Sequence, residues 1–318
     1  ETNINNIVDY SLWWLISQDN YQLYFGDTLH LKREWGRIQK MASILEKRSD
    51  KNGLLIPGDA WLFIDWVDVE KEGALQVLWW WAQQSIAKLA DRMEEPKMAA
   101  YWRGKSDKLK TVLLEKGYDA QRGAWRGMLN DASGPNRHAN FLAVISGLAP
   151  ESQYPGIINI LKDTTVQQVG TPYMMAFEYM ALARLGEGEE MLRQMKDYWG
   201  GMIDKGATSF WEGYDPDEGP EKMYMFYNRP YGKSLCHGWS SGPGALIPGE
   251  LLGIRPLEDG WKVFSVEPRI TSVKNIRAVI PTPRGDIEAS MTDGKLTVKI
   301  PAGAQAVYQG KTYTESIQ

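Results

Sequence analysis

KGATSFWEGYDPDEGPEKMYMFYNRPYGKSLCHGWSSGPGALIPGE, Lys205 to Glu250, is the stretch on which the reading of this chain depends. It joins a short apolar-aromatic run ending in a carboxylate, Phe210-Trp211-Glu212, to a Gly/Ser-rich turn around His237 and Trp239. The segment between is too polar and too rich in Gly and Pro to be helical. Flat apolar rings beside one ionisable oxygen group are the ingredients of a sugar site, because the rings cover the C–H face of a pyranose and the carboxylate acts on water. Tyr214, Tyr224, Phe226, Tyr227, Tyr231 and Trp239 supply such rings near Glu212 in sequence, which makes Glu212 the leading catalytic candidate. By its charge alone, Glu212 reads as a solvated acid heading a loop that also carries Asp215, Asp217, Glu218 and Glu221, and only its aromatic company sets it apart.

Upstream of this stretch the pattern is helix after helix. Asn6 to Phe25 carries Leu12, Leu15, Ile16 and Leu23 on one stripe and ends at Gly26-Asp27. Leu29 to Ser49 follows, then a Gly/Pro loop over Asn52 to Asp59. Gly73 to Arg92 and Met98 to Lys116 form the next pair, and Gly117 to Trp125 is rich in turn residues. Pro135 to Leu148, Ser152 to Asp163, Thr171 to Leu185 and Gly186 to Tyr198 read as further helices, the third with Pro172 at a favourable first-turn position. A last helix runs from Trp239 or Gly244 to Leu252. The expectation is about nine helices in antiparallel pairs. Repeated helical hairpins build either a solenoid or a closed toroid, and the lack of a fixed sequence period weighs against the solenoid.

From Leu257 the period changes to two. Trp261–Val266, Ile276–Ile280, Asp286–Met291, Lys295–Ile300 and Gln305–Tyr308 alternate in short runs, and Asp293-Gly294 between two of them is a strong hairpin signal. This predicts a small antiparallel β-sandwich that packs on the helices and carries no chemistry.

Four motifs carry a family resemblance: GATSFWEGYD, SLCHGWSSGP, LLGIRPLEDGWKVFSVEPRI and TPRGDIEAS. In order and spacing the chain resembles the C-terminal half of the bacterial α-L-rhamnosidases of glycoside hydrolase family 78. Upstream, DYSLWWLISQDNYQLYFGD (Asp9 to Asp27) and Asp65-Trp66 stand where such enzymes carry a similar helix and a similar Asp-Trp pair. The resemblance implies a mainly α fold: an (α/α)6 toroid over residues 1–254, incomplete at its N-terminus, followed by a β-sandwich domain over residues 255–318. It implies removal of terminal α-L-rhamnose from glycosides or polysaccharides by inverting hydrolysis, with Glu212 as general base. It further implies sugar contacts from Trp211, His237 and Trp239, from Asp65 with Trp66, and from Asp9 with Trp13 or Trp14. Spacing does not decide between those two tryptophans, and Asp65 taken by itself reads equally as a helix cap. Twelve helices make the toroid and about nine are read here, so some three helices are expected outside this chain. The family's general acid, from an Arg- and Trp-containing motif upstream of the first helix, is expected there too.

Composition narrows the alternatives. The net charge is −4 and no Lys/Arg cluster stands out, so the basic footprint that nucleic acid needs is missing. A single cysteine, Cys236, rules out an intrachain disulfide, and no apolar run approaches the roughly 20 residues of a membrane helix. The 14 Trp and 15 Tyr exceed what core packing calls for, although Trp79-Trp80-Trp81 falls on a helical stripe that must place at least one ring in the core. Gly238-Trp239-Ser240-Ser241-Gly242 matches a serine-hydrolase elbow formally, but that elbow needs a preceding strand and a following His, and none follows His237. Asp215 to Gly219 lacks the spacing and closing Glu of a calcium loop, and His30 and His138 read as structural. No cofactor or metal is implied, and the expected partner is a rhamnose-containing carbohydrate. Three alternatives stay open: a noncatalytic carbohydrate-binding relative, a toroid glycosidase for another sugar, and a helical scaffold that recognises protein.

Overall fold

The computed structural model of the chain describes residues 7–130, 132–219, 222–269 and 272–317. Asn6, the expected first helical residue, lies outside them. The helices fall close to where periodicity and caps place them. α1 (Val8–Phe25) stops at Gly26, whose left-handed backbone (φ 62°) returns its N–H to the Gln22 carbonyl. In α2 (Thr28–Lys47) the Asp27 carboxylate caps the His30 N–H at 2.9 Å. α3 (Glu72–Arg92) is buried on almost every side and packs against α1, α4 (Pro96–Lys116) and α5 (Arg137–Ser146), so it is the pillar of the helical unit. Trp79 and Trp80 point into that core, whereas Trp81 is only half-buried.

α6 (Tyr154–Lys162) and α7 (Pro172–Arg184) follow, the latter capped by the Thr171 hydroxyl. α8 (Gly188–Met195) runs through a π turn at Lys196–Gly200 into the short α9 (Gly201–Asp204), and α10 (Gly242–Leu246) continues through a second π turn at Ile247–Leu251. Counting each interrupted pair once gives nine continuous helices among the described residues. The turn-rich stretch before α5 holds a small antiparallel pair, β1 (Tyr118–Asp119) with β2 (Ala124–Trp125).

The C-terminal part has two sheets. β3 (Arg255–Pro256), β4 (Val263–Val266), β8 (Gln305–Tyr308) and β9 (Lys311–Tyr313) form one, and β5 (Asn275–Ile280), β6 (Ile287–Thr292) and β7 (Lys295–Lys299) form the other. Phe264, Val266 and Ala306 from the first meet Ile287, Ala289 and Val298 from the second in a shared core, the expected sandwich. One pairing departs from the antiparallel expectation: β4 and β8 run parallel, Phe264 opposite Ala306. The reason is connectivity, since the chain leaves β4, builds the whole second sheet and re-enters the first alongside β4. Asp293 and Gly294 take positive φ (49° and 80°) in the tight β6–β7 turn.

The two cores divide between Leu251 and Leu252. The units are fastened together at the end of α3, where Arg92 forks onto Asp259 with two 2.7 Å bonds and reaches Asp19 of α1 at 2.6 Å. Beside that fork Gly26 and Gly260 meet backbone to backbone. A Cβ on Gly26 would lie 3.2 Å from the Gly260 Cα.

Candidate active site

Side chains from α1, α3 and α7 and from the segment before α10 converge on one aromatic cleft of about 410 Å³, toward the small end of the roughly 300–1,000 Å³ usual for small-molecule sites. Trp13, Trp81, Tyr173, Phe177 and Trp239 line it. Trp13 stacks on Phe177 at 4.6 Å and meets Trp81 edge-on, and Tyr173 lies parallel to Trp239 at 6.1 Å. Trp13 and Trp14 are neighbours on a helix and so point about 100° apart. Trp13 faces the cleft, whereas Trp14 is a half-buried ring packed on the core. Trp66, 37% exposed, continues the aromatic surface from Trp239 at 4.9 Å to Phe226 at 5.0 Å. The half-buried His237 packs its ring on Trp239 at 4.7 Å.

Glu212 sits at the Trp239 end of this surface and is 6% exposed. Its backbone is pinned across the loop: the N–H donates to the Ser234 carbonyl at 2.8 Å and the carbonyl accepts from the Trp239 indole N–H at 2.9 Å. Both carboxylate oxygens are also engaged, Oε1 by the Tyr227 hydroxyl and Oε2 by the Ser234 N–H, each at 3.0 Å. Tyr227 reaches that position from a tight turn closed by reciprocal Phe226–Arg229 backbone bonds, in which Tyr227 (φ 50°) and Asn228 (φ 57°) are both left-handed. Asn tolerates that conformation, whereas a bulky Tyr there stores about 1–3 kcal/mol of strain. The adjoining Lys233, buried beneath the loop, ties it down by pairing with Glu218 at 3.0 Å.

The two aspartates that the family resemblance set against the sugar are buried instead. Asp9 accepts the N–H groups of Phe63 and Ile64 at 3.0 and 3.2 Å. Those bonds hold a sharp turn in which the Asp65 N–H closes on the Phe63 carbonyl at 2.5 Å with Ile64 at φ 49°, a conformation a β-branched residue rarely takes. Burial pushes the Asp9 carboxyl above its ordinary range, against the pull of those two N–H groups. Asp65, no cap for α3, accepts the Trp66 N–H at 2.8 Å, the Gly170 N–H at 2.9 Å and His138 Nε2 at 2.7 Å. Burial would raise the Asp65 carboxyl, but the hydrogen bond and charge of His138, with the Gly170 N–H, outweigh it and hold the group below the ordinary range. Asp9 and Asp65, 0% and 1% exposed, therefore shape the turn that presents Phe63 and Trp66. Trp211 is 3% exposed, inside the helical core with its ring edge against Tyr224.

Sequence reasoning missed Phe63, Tyr173, Phe177, Trp81 and the backbone of Ser234 as members of the site. Only the repeated rings of Thr171 to Leu185 gave a hint, and that segment read as ordinary helix. Among the described residues, no carboxylate lines the cleft itself. Among the described residues no cluster of three or more His, Cys, Asp or Glu side chains is placed to hold a metal, and no helix is long and apolar enough to cross a membrane.

The chain matches two known families in succession. The bacterial alpha-L-rhamnosidase 6 hairpin glycosidase domain covers residues 4–250, and the bacterial alpha-L-rhamnosidase C-terminal domain covers residues 253–309. A comparison with curated proteins returned no match. Among solved structures, the chain resembles a GH78 family rhamnosidase of Bacillus sp. GL1 with a TM-score of 0.78 and 21% identity, over 92% of this chain and 32% of that one. It resembles a rhamnosidase from Klebsiella oxytoca with rhamnose bound at 0.66 and 28% identity, over 76% and 46%. An alpha-L-rhamnosidase of Streptomyces avermitilis complexed with L-rhamnose gives 0.72 and 20%, over 90% and 28%. The chain thus spans less than half the length of each of these three relatives.

Proposed function

The chain belongs to the bacterial α-L-rhamnosidase six-hairpin glycosidase family, and from that premise we propose that it forms part of an inverting α-L-rhamnosidase in which Glu212 is the general base. The observation that carries the assignment is a buried carboxylate at the end of an aromatic cleft, held among the described residues by neutral donors and by no cation. An ionised carboxylate offers about four lone-pair sites. With two of them used by Tyr227 and Ser234, Glu212 keeps the capacity to take a proton from water. Trp13, Trp66 and Trp239 give the pyranose its apolar walls, and His237 adds a polar edge beside Trp239. The rhamnose held by the Klebsiella oxytoca and Streptomyces avermitilis relatives supports α-L-rhamnose as the sugar removed, and a rhamnose-containing carbohydrate as the partner.

Inversion needs a second carboxyl group roughly 6.5–9.5 Å from the base, to protonate the leaving oxygen. Asp9 and Asp65 are spent on backbone N–H groups and on His138, so we give neither that role. The general acid is placed outside residues 1–318, in keeping with the much greater length of the relatives. One observation favours a second reading, a sugar-binding unit without turnover: among the described residues, the cleft lining contains no carboxylate.

Hydrolysis of an aryl α-L-rhamnopyranoside separates the two. Cleavage by the full-length protein, with none by residues 1–318 alone, is the expected result. Binding of L-rhamnose without cleavage in the full-length protein would favour the second reading, and cleavage of a different aryl glycoside would replace the glycone.

A further inference from the structure

We infer that Tyr227 is the positioning residue of Glu212: its hydroxyl, delivered by the left-handed turn Phe226–Arg229, fixes the carboxylate against the aromatic surface on which the sugar lies. The inference rests on the proposed role of Glu212 and adds to it a residue whose work is orientation.

Four observations converge. The Tyr227 hydroxyl donates to Glu212 Oε1 at 3.0 Å while Ser234 N–H holds Oε2, so the carboxylate plane is set from two sides by groups on opposite strands of one loop. The turn that carries Tyr227 keeps two successive non-glycine residues at positive φ, and Gly232 lets it close tightly, since a Cβ there would lie 2.3 Å from the Phe226 carbonyl oxygen. The ring itself is 65% exposed, so core packing does not explain why a tyrosine occupies this backbone position. The same turn lays Phe226 against Trp66, so the base and one sugar wall are located by a single element.

Strain of this kind persists where surrounding contacts over-determine it, and here the contacts are with the reacting group. Phenol and carboxylate are also electrically coupled. Partial burial first, and the Glu212 hydrogen bond next, push the Tyr227 phenol up to about 12. Although the ring is largely exposed, its hydroxyl end is turned inward onto a buried oxygen.

Two measurements on the full-length protein test the assignment. In Tyr227→Phe, which keeps ring and turn and removes only the hydroxyl, kcat on an aryl α-L-rhamnopyranoside should fall about 10- to 100-fold, with KM within about twofold and the melting temperature unchanged, because misorientation costs the chemical step and spares binding. Separately, the phenol titration of Tyr227, followed by NMR of ring-labelled tyrosine, should drop toward the ordinary tyrosine range when Glu212→Gln removes the charge. A Tyr227→Phe variant with wild-type kcat overturns the positioning role. A Tyr227 titration indifferent to Glu212→Gln overturns the contact itself. A coupled titration in a protein that cleaves no rhamnoside would leave the contact standing and remove the hydrolytic role together with the reading it rests on.

Discussion

Glu212→Gln is expected to lower kcat of the full-length protein on an aryl α-L-rhamnopyranoside by about 10²–10⁴-fold, the range for loss of a general acid or base. The substitution preserves shape. The glutamine oxygen can still accept from one of the two donors, Tyr227 hydroxyl or Ser234 N–H, and the backbone bonds to Ser234 and Trp239 are untouched. What is lost is the site proposed to take the proton of the attacking water. Because Trp13, Trp66 and Trp239, the proposed walls of the sugar site, are unchanged, L-rhamnose should bind the variant about as well as the wild type. Steady-state kinetics beside calorimetric titration gives both numbers. A kcat within a few-fold of wild type would take Glu212 out of the mechanism.

Glu178→Ala is expected to destabilise the helical unit by about 3–5 kcal/mol, the cost of breaking a buried ion pair from one side. Arg137 and Glu178 are nearly solvent-free and paired, and the guanidinium also donates to the carbonyls of Leu161 at 2.6 Å and Asp163 at 2.8 Å. One arginine thus ties α5 to the end of α6 and to α7. Removing the glutamate leaves the Arg137 charge buried with carbonyl partners only. Urea unfolding reads the difference, and Glu178→Gln, which keeps an oxygen acceptor without the charge, should fall between. The consequence reaches the site because α5 also carries His138, which holds Asp65, and α7 carries Tyr173 and Phe177. A loss below about 1 kcal/mol would show the pair to be dispensable.

These two residues mark what a sequence discloses and what it withholds. Glu212 announces itself because its neighbourhood is local: Trp211 precedes it, and the Ser-Leu-Cys-His turn returns within some two dozen positions. The helices were legible for a similar reason, since caps such as Asp27 and Thr171 and stops such as Gly26 act within a turn of themselves. The burial of Asp9 and Asp65 was not legible. Their partners stand 54 and 73 residues away, and nothing in Asp9-Tyr10 or Asp65-Trp66 says whether the acid or the ring faces the cleft. The choice between Trp13 and Trp14 has the same character, because a difference of about 100° around α1 has meaning only once α3 and α7 are in place.

The turn at Tyr227 was hidden for another reason. Left-handed pairs are normally written Asn-Gly or Asp-Gly, as at Asp293-Gly294, and Phe-Tyr-Asn-Arg gives no such sign. Local rules fail there because contacts from the rest of the site override them, which is where such failures are expected to mark function. The parallel β4–β8 pair lay equally out of reach, being a product of how the chain returns to its first sheet rather than of any pattern in the strands.

In the proposed mechanism Glu212 acts on water and never bonds to the sugar. The most direct test is proton NMR of the rhamnose first released from an aryl α-L-rhamnopyranoside by the full-length protein, recorded before the anomers equilibrate. Attack by a Glu212-activated water on the face opposite the leaving group predicts the β-anomer as first product. First release of the α-anomer would mean retention through a covalent intermediate, and would rule out Glu212 as a general base acting on water.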